Sequence, residues 1–141
     1  QEYTRHVIIP LFHLQVQHGV GLVAHGQNIV LELKNHVPVG LILKDFQGDL
    51  RMSEASKAFT QKLTRLPAHY LIHDLVTGHF VTFLRYLSGI MQDSHILSEK
   101  EFYQTMNQEI SSYIQSLGPV KGTEFFRSIN ILSPELPALE T

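Results

Sequence analysis

Asn28-Ile-Val-Leu-Glu-Leu-Lys34 and Val39-Gly-Leu-Ile-Leu-Lys-Asp45, joined by Asn35-His-Val-Pro38, decide the fold. Each outer run is short, rich in branched apolar residues and partly alternating, which is the pattern of a strand. The joining residues are turn formers. Together they predict a β-hairpin. In an antiparallel pair the two open ends lie side by side. The residues just before the first strand, His25-Gly-Gln-Asn28, are therefore expected beside Asp45 at the end of the second. A lone hairpin is only marginally stable, so its strands are expected to extend a sheet or to pack on helices.

Upstream, Pro10 suits the first turn of a helix, where its missing N–H costs nothing. Leu11, Phe12, Leu14, Val16, Val20, Leu22 and Val23 follow at roughly helical spacing, and the helix is expected to end near residues 24–26. Downstream, Phe46-Gln-Gly-Asp49 reads as a loop, and Ser53 with Glu54 as the start of a short helix reaching about Leu63. Pro67 opens a longer helix over residues 68–91, with an apolar stripe from Leu71 to Ile90. Ser98 and Glu101 form a capping box for a third helix, which Gly118-Pro119 stops near Leu117. A short helix over 122–129 and an irregular tail over 133–141 complete the chain. The fold class is α+β: an N-terminal helix, a β-hairpin, then a mostly helical C-terminal bundle. All 141 residues read as one domain. Residues 1–52 hold the helix and hairpin, and residues 53–132 the helical part.

With 141 residues, 43% hydrophobic and 17% charged, the chain can bury one ordinary core. A net charge of -2 without a basic stripe argues against nucleic acid and anionic membrane as partners. Cysteine is absent, which removes disulfides, thiolate metal sites and an iron–sulfur cluster of the usual kind. That fits a cytoplasmic protein. The chain opens at Gln1 directly into an apolar pattern and is read as a piece of something longer.

A histidine, an amide and a carboxylate thus converge at one hairpin end. Magnesium takes hard oxygen ligands, and one or two protein groups suffice when phosphate oxygens and water supply the rest. Asp45 and the Asn28 carbonyl fit that need. His25 or Lys44 can neutralise charge developing on phosphate. The ordinary reading of the same residues is a turn aspartate and a helix-ending His-Gly pair.

Gly19-Val-Gly-Leu-Val-Ala-His-Gly-Gln-Asn28 is similar to the Gly-x-x-Leu-Glu-x-His-x-Gln-Asn signature of aerobactin-type siderophore synthetases, which work without a peptide-synthetase assembly line. Leu41-Ile-Leu-Lys-Asp-Phe46 resembles the Leu-Arg-Asp-Phe strand of that family. Gln47-Gly-Asp-Leu-Arg-Met-Ser53 resembles its glycine-containing run into Arg-x-Ser. The helical remainder resembles the family's carboxy-terminal, ferric-iron-reductase-like region. The resemblance implies a palm-like platform for ATP and Mg2+, in an enzyme that adenylates a citrate-like carboxylate and passes the acyl group to an amine or hydroxyl. It implies that His25, the catalytic candidate, contacts phosphate, that Gln27, Asn28 and Lys44 lie at the nucleotide, and that Asp45 and Asn28 hold the metal. Lys121 and Arg127 resemble a late Lys…Arg pair near the phosphates. A missing N-terminal part of the same chain would complete the site, and a homodimer is among the assemblies allowed. Two positions depart from the pattern. Val23 stands where the family has glutamate, and Lys44 replaces arginine, which keeps the charge but loses the planar fork.

Other histidines carry less. His79, in Thr77-Gly-His-Phe80, reads as a packing or hydrogen-bonding residue. His69 and His73 share a helix face at i, i+4, but no third zinc ligand is evident. Two alternatives stand beside the synthetase reading. One is a divergent, non-catalytic binding module, which Val23 favours. The other is a fragment of a small-molecule phosphotransferase, although His25-Gly-Gln-Asn28 lacks the acid that such loops place soon after the histidine. No glycine-rich or Ser/Thr-rich phosphate loop is present, so these residues alone are not expected to catalyse ligation.

Overall fold

Gly19 determines how the chain enters its first sheet. A computed structural model describes residues 1–54, 56, 63–67 and 70–118. In it a widened, π-type turn at Thr4–Ile8 leads into helix α1 (Ile9–His18), with Pro10 in the first turn. The helix ends at Gly19, whose φ of 63° is left-handed and whose N–H bonds back to Leu14 and Gln15 carbonyls. A side chain there would be strained, and glycine is the ordinary residue at such a stop. The expected continuation of the helix to residues 24–26 is therefore corrected. Val20–Leu22 form strand β1, buried throughout. Val-Gly-Leu-Val at helical spacing is also a strand once glycine has broken the helix.

The hairpin forms as expected, with small shifts of its ends. Strand β2 (Ile29–Lys34) pairs antiparallel with β3 (Val37–Leu43), Ile29 opposite Leu43 and Lys34 opposite Val37. Asn35 and His36 turn the chain with φ of 51° and 64°, the doubly left-handed geometry that matches strand twist. A bulge between Glu32 and Leu33 places Pro38 where β3 tolerates it. Leu31, Leu41 and Leu43 face the core, while Val30, Leu33, Val37, Val39 and Ile42 are exposed.

The second correction concerns the stretch after the hairpin. Leu50–Ser53 is not the entry to a helix but strand β4, antiparallel to β1 with Val20 opposite Met52 and Leu22 opposite Leu50. Strand β5 (Thr64–Leu66) runs parallel to β4, giving a three-stranded sheet in the order β1-β4-β5. Most of the helix expected between Ser53 and Leu63 lies outside the described residues.

The long second helix is present as α2 (Leu71–Leu75), a π-type stretch (Val76–Leu84) and α3 (Arg85–Asp93) in unbroken succession. Thr77 and Thr82 hydroxyls bond the carbonyls of His73 and Gly78, four residues back. Such back-bonding competes with the regular ladder and loosens the turn. Helix α4 (Glu99–Ser116) begins at the expected capping box, formed in both directions by Ser98 and Glu101. Its Met106, Ile110 and Ile114 stripe joins Val7, Leu11, Phe12, Leu75, Phe80 and Leu84 in one buried core. Burial of this kind is the main driving force for folding, about 1.5–3 kcal/mol per large side chain. Arg5 clasps Glu109 with two hydrogen bonds of 2.7 and 2.9 Å, tying the N-terminal turn to α4. None of the described helices is long and apolar enough to cross a membrane. The expected helix at 122–129 and the tail at 133–141 lie outside the described residues.

Candidate functional site

The ladder between β1 and β4 continues one residue past the strands: the Val23 N–H donates to the Asp49 carbonyl at 3.1 Å. From there the chain turns tightly, with the His25 N–H bonded to the Val23 carbonyl and the Asn28 N–H to the His25 carbonyl. The Lys44 N–H then bonds the Asn28 carbonyl at 3.0 Å. Three strand ends thus hold His25 and Asn28 at the open end of the hairpin.

The loop is clamped from behind by the π-type stretch. Gly78 lies so close that a Cβ there would sit 2.8 Å from Val23 Cγ1 and 3.0 Å from the Ala24 nitrogen. The next residue, His79, is only 1% exposed. Its Nδ1 donates to the Ala24 carbonyl at 2.7 Å, and its Nε2 accepts from the Tyr3 hydroxyl at 2.7 Å. The roles follow from the carbonyl, which can only accept. Burial lowers the imidazole below the usual histidine range, against a weaker upward pull from the Ala24 bond. Burial raises the Tyr3 phenol. The role in hydrogen bonding expected for His79 therefore has a specific object, the carbonyl one residue before His25.

In front of the loop, His25 and Asp49 are each about a third exposed, with Nε2 3.3 Å from Asp49 Oδ2. The Gln27 N–H donates to His25 Nδ1 at 3.3 Å. Asn28 is 1% exposed. Its Nδ2 donates to the Val23 carbonyl at 2.8 Å and to Asp49 Oδ2 at 3.4 Å, which leaves Oδ1 buried and without a partner. Gln27 is exposed. Lys44 pairs with Asp45 at 3.4 Å, and the Asp45 side chain is 81% exposed on a left-handed residue with φ of 51°. The structure thus brings His25 and Asn28 together, keeps Asp45 and Lys44 at the same hairpin end facing solvent, and places a carboxylate that sequence reasoning read as loop, Asp49, between the first two. Lys121, Arg127 and His69 lie outside the described residues.

A second acid lies behind β1. Asp74, 6% exposed, pairs with Arg51 on β4, and its other oxygen lies against Gly21 with no partner. Burial raises this carboxyl, and Arg51 pulls it back. Arg51 is thereby committed to Asp74 on α2.

The donors suit a hard cation. Asn28 Oδ1 is an orphaned carbonyl oxygen, Asp49 and Asp45 carry carboxylates, and no group of three or more His, Cys, Asp or Glu capable of holding a metal occurs among the described residues. The described side chains alone do not make a zinc site, whereas magnesium can be held by one or two protein oxygens when water and phosphate supply the rest.

Over residues 1–141 the chain matches, and belongs to, the family described as ferric iron reductase FhuF-like transporter. Its likeness is to siderophore synthetases of the aerobactin type, as its motifs implied. Over 140 residues it is 40% identical to aerobactin synthase of Escherichia coli, covering 94% of this chain and 24% of that protein. The structure of aerobactin synthetase IucC from a hypervirulent Klebsiella pneumoniae superposes with a TM-score of 0.80 at 42% identity, over 86% of this chain and 24% of that one. ATP-bound aerobactin synthetase IucA from the same source shares the fold, with a TM-score of 0.68 at 20% identity over 82% of this chain and 22% of that one. The chain therefore spans about a quarter of the length of these relatives.

Proposed function

We propose that this chain is the carboxy-terminal, nucleotide-binding part of an ATP-dependent siderophore synthetase, a ligase that activates a citrate-like carboxylate and joins it to an amine or hydroxyl in the cytoplasm. The observation that carries the proposal is the hairpin end, where His25, Asn28 and acidic side chains converge and one buried amide oxygen lacks a partner. Its support is the family and the 40% identity to an aerobactin synthase. In this reading His25 and Lys44 face the phosphates, Gln27 lines the nucleotide, and Asn28 and Asp45 offer oxygens to Mg2+. The metal would neutralise phosphate charge, and the chain's residues would bind and orient the nucleotide around it. Lys121 and Arg127 are assigned to the phosphates by resemblance alone. The remainder of the ATP site and the substrate pocket belong to segments beyond these residues, so the 141 residues alone are expected to leave the substrates unligated.

One observation favours a second reading, a binding module without catalysis: Val23 packs against Gly78 where the family's signature has an acid. Calorimetric titration of the longest natural polypeptide carrying this chain with Mg2+–ATP separates the two. Binding that His25→Ala and Asp45→Ala each weaken by about tenfold or more, the usual scale for lost ligands and their supports, fits the synthetase. An intact polypeptide that takes no nucleotide leaves the binding module as the better account.

A further inference from the structure

We infer that Asp49 is a positioning residue for this site, one whose single oxygen Oδ2 decides which face both His25 and Asn28 present. The inference rests on the nucleotide reading only for what the presented faces touch. The geometry is local. Asn28 Nδ2 spends its two protons on the Val23 carbonyl at 2.8 Å and Asp49 Oδ2 at 3.4 Å. Turning the carboxamide over would set its oxygen against two acceptors and bury an unpaired N–H2 group, a costly exchange in a residue 1% exposed. Asp49 therefore helps keep Oδ1 pointing the other way, where it has no partner in the chain.

The same oxygen faces the imidazole. His25 Nδ1 accepts the Gln27 N–H, so the neutral ring carries its proton on Nε2, 3.3 Å from Asp49 Oδ2. A ring flip would put carbon at both contacts. The backbone of Asp49 is itself held: its N–H bonds the Phe46 carbonyl at 3.0 Å, and its carbonyl takes the Val23 N–H. This register sets Asp49 directly across from Val23. Asp49 thus brings a carboxylate to this loop from the neighbouring strand end, within reach of His25 and Asn28. Asp45 is the ligand of the nucleotide reading, whereas Asp49 acts through other residues.

The test uses the longest natural polypeptide carrying this chain, labelled with 15N in histidine and asparagine, with Asp49→Ala and Asp49→Asn beside it. Expected in the unsubstituted protein is an exchange-protected His25 Nε2–H and one fixed set of Asn28 carboxamide signals. Asp49→Ala should lose the first and shift the second. Asp49→Asn keeps an acceptor of the same shape and should restore both in part. Mg2+–ATP affinity should fall about tenfold in Asp49→Ala, as for supporting residues elsewhere, and less in Asp49→Asn. Alanine leaving both sets of signals in place would overturn the inference. So would alanine and asparagine lowering thermal stability equally with no difference between their spectra. If the signals respond as expected while no form binds nucleotide, the positioning role stands and the nucleotide reading falls.

Discussion

His79 shows how a buried residue can hold in place the loop that carries a candidate site residue, His25. Both its ring nitrogens are bonded in the core, and its proton must stay on Nδ1 to meet the Ala24 carbonyl. A second proton would break the Tyr3 bond and bury a charge, which is why burial depresses the group. The sign follows. Below the ordinary histidine value of 6.5 the unfolded chain takes up a proton that the folded chain refuses, so stability falls as pH drops through that value. Thermal unfolding at pH 7.5 and pH 5 should show this drop, and His79→Gln should shrink it while costing about 2 kcal/mol at pH 7.5. An undiminished drop would assign it to another of the nine histidines. At this scale the sequence was partly legible. His25 and Asn28 could be marked as candidates because a predicted hairpin brings its two ends side by side and because the stretch resembles a family signature. Asp49 could not, because its role comes from pairing across to Val23, and four residues of loop signal hid the strand that follows it.

Among the elements, those with a long or punctuated pattern were readable. The hairpin announced itself by branched runs around Asn35-His36, and α4 by its capping box and an i, i+4 apolar stripe. Strands β1, β4 and β5 were not, being three or four residues long with no room for a period to repeat. Their pairing is a long-range event that local spacing does not encode. The π-type stretch was likewise unreadable as such, since its apolar residues follow an ordinary helical stripe. Its consequence is testable at Gly78. Alanine is normally the better helix former, yet here its methyl would meet Val23 Cγ1 at 2.8 Å and two backbone atoms at 3.0 and 3.1 Å. Gly78→Ala is therefore expected to destabilise by about 1–3 kcal/mol, measured by urea unfolding, and to move the amide resonances of residues 23–28. A stabilised variant would mean that the helix and the loop are not in contact.

For the molecule as a whole, the fold class followed from the order of patterns, one helix, a hairpin and more helices, and the family match agrees with it. What composition concealed was the division of the strands into two sheets. In the larger, β1-β4-β5, strand β1 is buried against α1 and α2 while β5 is largely exposed. The smaller, β2-β3, is packed on one face only. That asymmetry bears on handling rather than on chemistry. Among the described residues neither outer edge of the hairpin is hydrogen-bonded to another strand, and Val30, Val39 and Ile42 lie open beside those edges. Unpaired edges of this kind recruit strands from other molecules. Concentrated solutions of these 141 residues by themselves are expected to scatter light and deepen in turbidity with time, and Val30→Lys with Ile42→Lys to keep them clear without loss of helical circular dichroism. A turbidity that the lysines leave unchanged would trace the stickiness to another surface; a clear solution would make the paired substitution the practical form in which to keep this polypeptide on the bench.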